Sequence, residues 1–212
     1  MWNWDEVKNK ILLNDCMEIM KQIPDKYIDL AITDPPYGID KAFTACSRIA
    51  RYGDPKKGND NKPTPLYFKE LFRVSQNQIV WGYNHLSDML PTTKEFVFWY
   101  KRNPVISYSD GELAWTSFTR TARCFDYMYY GSHGADDLRI HAQQKPVVLY
   151  RWLLQNYAKP GDKIIDTHSG SGSCAIACHI EKRDFLAIEK DPDYHAASVK
   201  RLEEVRAQGV LF

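Results

Sequence analysis

The chain has 212 residues, 44% of them hydrophobic, and sets 28 Lys and Arg against 27 Asp and Glu for a net charge of +1. That length suits a single domain spanning 1–212, with enough core to need no disulfide or metal staple. The charge balance excludes the chain-wide basic signature of many nucleic-acid binders, so any polyanion contact must come from a local patch.

The N-terminus, Met1-Trp2-Asn3-Trp4-Asp5-Glu6, has no basic or apolar leader region, and no stretch approaches a membrane span. The five cysteines (Cys16, Cys46, Cys124, Cys174, Cys178) are odd in number and show no C-x-x-C spacing. Free thiols fit a reducing cytoplasm. Cys174 and Cys178, four apart on an expected helix, read as core packing, and no metal site is expected.

Lys10 to Leu13 is an apolar run ending at Asn14-Asp15, a first strand. Cys16 to Gln22 reads as a helix closed by Pro24. The run Ile28-Asp29-Leu30-Ala31-Ile32 is a buried parallel strand leading into Thr33-Asp34-Pro35-Pro36-Tyr37-Gly38. Strand, helix, strand favours a parallel α/β sheet. The two prolines end the strand, and the residue before a proline is pushed into extended geometry. The result is a stiff loop at the carboxyl end of a strand, the edge where open α/β sheets bind ligands. An exocyclic nucleobase amine could donate to Asp34 and to a proline carbonyl while its ring stacks on Tyr37. The same residues also fit a Pro-Pro turn with a capping Asp and a packed tyrosine.

Residues 38–66 are polar and punctuated by Gly53, Pro55, Gly58, Pro63 and Pro65. They carry Lys41, Arg48, Arg51, Lys56, Lys57 and Lys62 against Asp40, Asp54 and Asp60. This is long for a connection, so it is read as a mobile basic loop, either contacting phosphates or simply solvated. Leu66 to Phe72 is a short amphipathic helix. Residues 78–81 and 95–100 are strands, and 112–118 and 125–130 are aromatic-rich strands with little helix between them. That last pair is expected to be antiparallel at one sheet edge. Gly131 to His141 is a turn-rich bridge.

Pro146 is placed as the first residue of a helix running to about Tyr157. Lys159-Pro160-Gly161-Asp162 is a turn and Lys163 to Asp166 a strand. Thr167 to Ser173 is a glycine-containing loop, followed by a helix through Glu181. Asp184 to Glu189 is the next strand, and the last helix begins near Pro192. A strand, a Gly-x-Gly loop, a helix and a strand ending in an acid make a nucleoside-binding βαβ unit, in which Glu189 can accept both ribose hydroxyls. Gly170-x-Gly172-x-x-Ala175 also fits the dinucleotide fingerprint, so NAD, another nucleoside ligand and a plain tight turn stand together on this segment. Asp166 before the glycines weighs against a pyrophosphate, but it could accept from a ligand's ammonium. Residues 11–34 look like the continuation of this unit, with Asp15 beside the nucleoside base.

Taken together, these stretches resemble the S-adenosylmethionine-dependent DNA amino-methyltransferases in the permuted order called the beta class. Asp34-Pro35-Pro36-Tyr37 resembles that family's catalytic tetrapeptide. Gln144-Lys145-Pro146 and the turn at 159–162 resemble the segment leading into the cofactor loop. Asp166 through Ser173 resembles the methionine-binding loop, Ala187-Ile188-Glu189 the ribose-binding strand, and Asn14-Asp15-Cys16 the adenine-contacting turn. The resemblance implies a Rossmann-like α/β domain with a mostly parallel seven-stranded sheet and an antiparallel edge. It implies S-adenosylmethionine held by Asp15, Asp34, Lys145, Asp166, His168, Ser169, Gly170, Gly172 and Glu189. It implies direct methyl transfer to a flipped-out base in DNA, with Asp34, Pro35, Pro36 and Tyr37 catalytic. It also implies a cytoplasmic protein of bacterial, archaeal or phage origin, with a homodimer open. An Asp opening the tetrapeptide is more usual for adenine N6 than for cytosine N4. Two departures stand out. Thr167-His168 replaces the family's usual Pro-Phe, with His168 read as a wall residue. A short linker, 131–143, stands where a target-recognition insert is usual. DNA contact would then fall to the 38–66 loop with Arg120 and Arg123.

Overall fold

The strands that lack polar alternation are those covered on both faces. In the computed structural model, which describes residues 2–39, 61–103, 109–129, 140 and 144–209, they lie side by side in one sheet. The elements run α1 (Trp4–Val7), β1 (Lys10–Leu13), α2 (Cys16–Met20), β2 (Ile28–Thr33), α3 (Pro65–Val74), β3 (Ser75–Trp81) and α4 (Tyr83–Leu86). They continue with β4 (Phe96–Tyr100), β5 (Gly111–Thr116), β6 (Arg123–Asp126), α5 (Val147–Tyr157), β7 (Lys163–Asp166), α6 (Ser173–Ile180), β8 (Asp184–Glu189) and α7 (Pro192–Gln208).

The sheet order is β1-β8-β7-β2-β3-β5-β4-β6, and β5 alone is antiparallel to its neighbours. Strand pleating sends successive side chains to opposite faces. Ile79, Trp81, Ile164, Phe185 and Ala187 therefore join the core beneath α5, α6 and α7. Val80, Ile165, Leu186 and Ile188 join the core beneath α2 and α3. Each such aliphatic side chain contributes roughly 1.5–3 kcal/mol on burial. α5 turns Leu149, Tyr150, Leu153, Leu154 and Tyr157 onto the sheet, and Pro146 sits at its N-cap, one position before the expected start. No helix among the described residues is long and apolar enough to cross a membrane.

The α/β class with a mostly parallel sheet is as expected, but three details differ. There are eight strands among the described residues where seven were expected. The antiparallel strand lies inside the sheet, between β3 and β4, not at its edge. β5 and β6 do not pair with each other: β5 returns beside β4 as a hairpin, and β6 then lies parallel on the far side of β4. Residues 117–122 join β5 to β6 along the amino edge of the sheet without a helix, since the two run in opposite directions and need no crossover. Proximity in sequence suggested a β5–β6 pair; β4 had already taken that position. α3 begins at Pro65, so the basic loop ends earlier than expected.

This order interleaves the two ends of the chain. β7 stands between β8 and β2, and β1 continues beyond β8. The chain leaves β7 toward one side of the sheet and β2 toward the other, so the crevice between them is a topological switch point. The carboxyl ends of β1, β8, β7 and β2 bring Asp15, Glu189, Asp166 and Asp34 to one edge.

Candidate active site

Asp34 follows β2, and neither proline after it carries an N–H, so its carboxylate takes its donors from elsewhere. The Tyr37 hydroxyl donates to Asp34 Oδ1, and Lys145 Nζ donates to Oδ2. Lys145, which precedes α5, also lies 3.3 Å from the Tyr37 hydroxyl and 3.1 Å from Glu112 Oε2. Lys101, after β4, donates to the other Glu112 oxygen. A line of alternating charge thus runs from the tetrapeptide through Lys145 and Glu112 to Lys101. The Trp81 ring lies 5.3 Å from Lys145 Nζ, adding a cation–π contact.

Burial opposes the Lys145 charge, but Asp34 and Glu112 outweigh it and raise its pKa, so it stays an ammonium. Burial likewise works to raise the Glu112 carboxyl, and the Lys145 and Lys101 ammoniums overcome it and hold the group down to about 2. Burial, with Asp34 and Glu112 behind it, pushes the Tyr37 phenol well up, which keeps it a donor. The Tyr37 ring is buried and stacks on His85 at 5.3 Å and 17°. Gly82, at φ +80, faces the same ring so closely that a Cβ there would fall 2.1 Å from Cε1. Only glycine allows both the backbone and the ring at that place.

Across the switch point, Asp166 is buried at the end of β7. Burial raises its carboxyl to about 8; the His168 backbone N–H at 3.1 Å opposes this, while the Asp34 and Glu189 charges add to it. His168 is pulled down to about 4 by burial and then by Lys190, so its imidazole is neutral at pH 7. Its Nδ1 lies 3.0 Å from Thr167 Oγ1 and 3.3 Å from Thr33 Oγ1. The Thr33, Thr167 and Tyr67 hydroxyls close a triangle of 2.7, 2.7 and 3.3 Å. The Thr167-His168 pair therefore finds its partners on β2 and α3, and ties the glycine loop to the residue preceding Asp34.

The loop itself is a closed turn. Gly172 N–H donates to Ser169 O at 2.8 Å, and Ser169 N–H to Ile188 O at 2.9 Å. Glu189 at the end of β8 accepts from Gly170 N–H at 2.8 Å and from Asp191 N–H at 2.9 Å. Gly170 is at φ +49 with nothing within 4 Å of where a Cβ would stand, so the space above it is open. Ser169 Oγ is buried without a hydrogen-bond partner among the described residues, and such groups call for an explanation. Asp15 at the end of β1 caps α2 by accepting from Met17 N–H at 2.8 Å. An open glycine cradle, an orphaned hydroxyl and a buried carboxyl that a neighbouring cation would ionise fit a ligand carrying positive charge and a nucleoside.

Asp34, Tyr37 and Lys145 are thus in contact, and Asp166 and Glu189, each ending a strand, bond the glycine loop at His168 and Gly170. Pro35 is buried and Pro36 half-buried beside them. Arg120 and Arg123, expected on DNA, gain no support for that role. They lie before and at the start of β6, the amino edge of the parallel strands, opposite Asp34. Arg120 is 3.5 Å from the buried Glu95 and packs on Tyr157 at 4.7 Å, while Arg123 donates to Asn156 Oδ1 at 3.1 Å. Both guanidiniums serve local packing there. Lys41, Arg48, Arg51, Lys56 and Lys57, and most of the 131–143 linker, lie outside the described residues. Glu112, Lys101 and His85 were not anticipated. The one sequence signal for Glu112 is a charge within an otherwise apolar strand.

A protein-family model described as DNA methylase matches residues 67–200. The type II methyltransferase M.HinfI of Haemophilus influenzae is 23% identical over 257 residues, covering 96% of this chain and 71% of that protein. The crystal structure of the M1.HpyAVI–SAM complex superposes with a TM-score of 0.62 at 21% identity, over 91% of this chain and 98% of that one. The cytosine-N4-specific PvuII DNA methyltransferase gives a TM-score of 0.60 at 16% identity, over 93% of this chain and 91% of that one.

Proposed function

The chain belongs to the N6/N4 DNA methylase family, and from that premise we propose that it transfers a methyl group from S-adenosylmethionine to adenine N6 in DNA. The observation that carries the reading is the Asp34 carboxylate. It stands at the switch point of the sheet, bonded by Tyr37 and Lys145, and one residue from the hydroxyl cluster that anchors the glycine loop. The choice of adenine rests on the Asp that opens the tetrapeptide.

When bound, the cofactor supplies an electrophilic sulfonium methyl. Asp166 and Ser169 Oγ would accept from and donate to its amino-acid end, and Glu189 would take the ribose hydroxyls. The neutral His168 would form a wall that adds no charge against the sulfonium. Asp15, already turned to α2, would lie beside the adenine. Asp34 and the Pro35 carbonyl would accept the target amine's hydrogens, drawing the nitrogen lone pair out of conjugation, and Asp34 would take the released proton. Tyr37 would stack on the flipped base, a contact worth about 1–3 kcal/mol in single-strand systems, with His85 backing its ring. Alignment of nitrogen, methyl and sulfur would supply much of the rate.

Methyl transfer from labelled S-adenosylmethionine to unmethylated genomic DNA, with the digested nucleosides identified by mass spectrometry, tests this. N6-methyladenine supports the full reading. N4-methylcytosine keeps the mechanism and removes the choice of base. No methylated base in DNA overturns the proposal.

A further inference from the structure

Lys145 is almost fully buried, with a side chain 3% exposed, and it serves two carboxylates from different parts of the sheet. One is Asp34 after β2; the other is Glu112 on β5, which makes no contact with the tetrapeptide in the described hydrogen bonds. A carboxylate offers about four acceptor sites, so Asp34 can still receive a hydrogen from an amine. It does so in competition with Tyr37 and with a cation. A charge-assisted bond is roughly twice as strong as a neutral one, so a close Lys145 weakens Asp34 both as acceptor and as base. Release of that ammonium would leave a buried unpaired charge, which is strongly unfavourable, unless a second carboxylate holds it. Glu112 is that carboxylate, and Lys101 in turn neutralises Glu112 from the solvent side.

We propose that Glu112 is a positioning residue, holding Lys145 while Asp34 loosens from the ammonium to receive the target amine. The inference rests on the methyl-transfer reading above. Glu112 acts through Lys145 and touches no substrate. It also explains why a lysine in the middle of an anionic site does not disable the carboxylate beside it.

The test is a double-mutant cycle on the full chain, with kcat for DNA methylation and S-adenosylmethionine affinity both measured. Glu112→Gln should lower kcat by about tenfold or more and leave cofactor affinity within about twofold. Glu112→Asp should recover part of the loss. In a Lys145→Gln background, Glu112→Gln should cost nothing further, since the residue acts through the lysine. Additive losses would mean that Glu112 does not act through Lys145, and losses of kcat that track losses of Tm would make the role structural; either result, or an unchanged kcat in Glu112→Gln, overturns the inference. Thermal melting of each variant separates misfolding from the kinetic effect. If the wild-type chain methylates no DNA, the proposed function has failed, and the sharing is judged on 15N-lysine NMR alone. A Lys145 ammonium signal that moves in Glu112→Gln as it does in Asp34→Asn supports it; one that moves only in Asp34→Asn overturns it.

Discussion

Asp34 and Asp166 face one crevice from adjacent strands, and their surroundings set them apart. Asp34 is met by a phenol and an ammonium, whereas Asp166 is buried with carboxylates as its charged neighbours of weight. Replacement of Asp34 by Ala should abolish methyl transfer while cofactor binding by calorimetry persists; parallel loss of both would make the residue structural. For Asp166 the sign follows from linkage. Its carboxyl titrates at about 8 in the fold against 3.8 unfolded, so between those values the folded chain holds the extra proton. Asp166 alone loses stability as pH rises from about 4 to about 8, but His168, held at about 4 in the fold against 6.5 unfolded, gains it from about 4 to 6.5. The net fall of the ligand-free protein should therefore come between about pH 6.5 and 8, by about 2 kcal/mol. Asp166→Asn should flatten that fall in Tm. A cationic ligand favours the ionised carboxylate, so cofactor affinity should rise from pH 6 to pH 8 with release of a proton. His168, neutral throughout that window, should not contribute. Calorimetry in buffers of different ionisation enthalpy measures the proton count, and pH-independent affinity would refute the assignment.

The elements best read from sequence are those whose apolar content fixes their burial. β8 and the start of α7 fall where the run Asp184 to Glu189 and Pro192 placed them. α6 begins only after Gly172 takes φ +76, and a Cβ there would stand 3.1 Å from Ser198 Cβ on α7. Gly161, at φ +88 in the turn before β7, has nothing within 4 Å. Ala at Gly161 should cost only the left-handed backbone penalty, about 1–2 kcal/mol. Ala at Gly172 should cost measurably more, because α7 must also move. Equal losses in denaturant unfolding would mean that α7 yields freely. What the sequence concealed was pairing. β3 begins at Ser75 with Gln78 turned back on Ser75 by hydrogen bonds of 2.9 and 3.0 Å, so its first half reads as polar. The hairpin of β4 with β5 is a choice between neighbours that composition does not decide. The role of Glu112 was hidden for the same reason, since its meaning comes from Lys145, distant in sequence and brought beside it only by the fold.

At the scale of the whole molecule, interleaving the chain ends creates the site: neither 1–39 nor 144–209 holds it alone. The motifs announced which residues gather at one edge because most of them follow a strand's carboxyl end, a position that sequence order reveals. They could not announce which edge a charge beyond the motifs would occupy. Arg120 and Arg123 are basic and near aromatic residues, which in sequence resembles a nucleic-acid contact, yet they pack on Tyr157, Trp152 and Glu95 at the amino edge. That placement makes a quantitative statement about DNA. With a net charge of +1, binding cannot lean on the whole surface. Each phosphate contact contributes about −0.9 to the slope of log K against log salt. Neutralising Arg120 and Arg123 together should leave that slope unchanged, although Tm falls through lost packing. Neutralising Lys41, Arg48, Arg51, Lys56 and Lys57 should flatten the slope by about 0.9 for every contact removed. Binding of a fluorescent duplex titrated with NaCl measures both. A slope that drops with Arg120 and Arg123 while the loop variant keeps its own would put the DNA on the edge of the sheet away from Asp34, and a separate account of how the target base reaches that carboxylate would then be required.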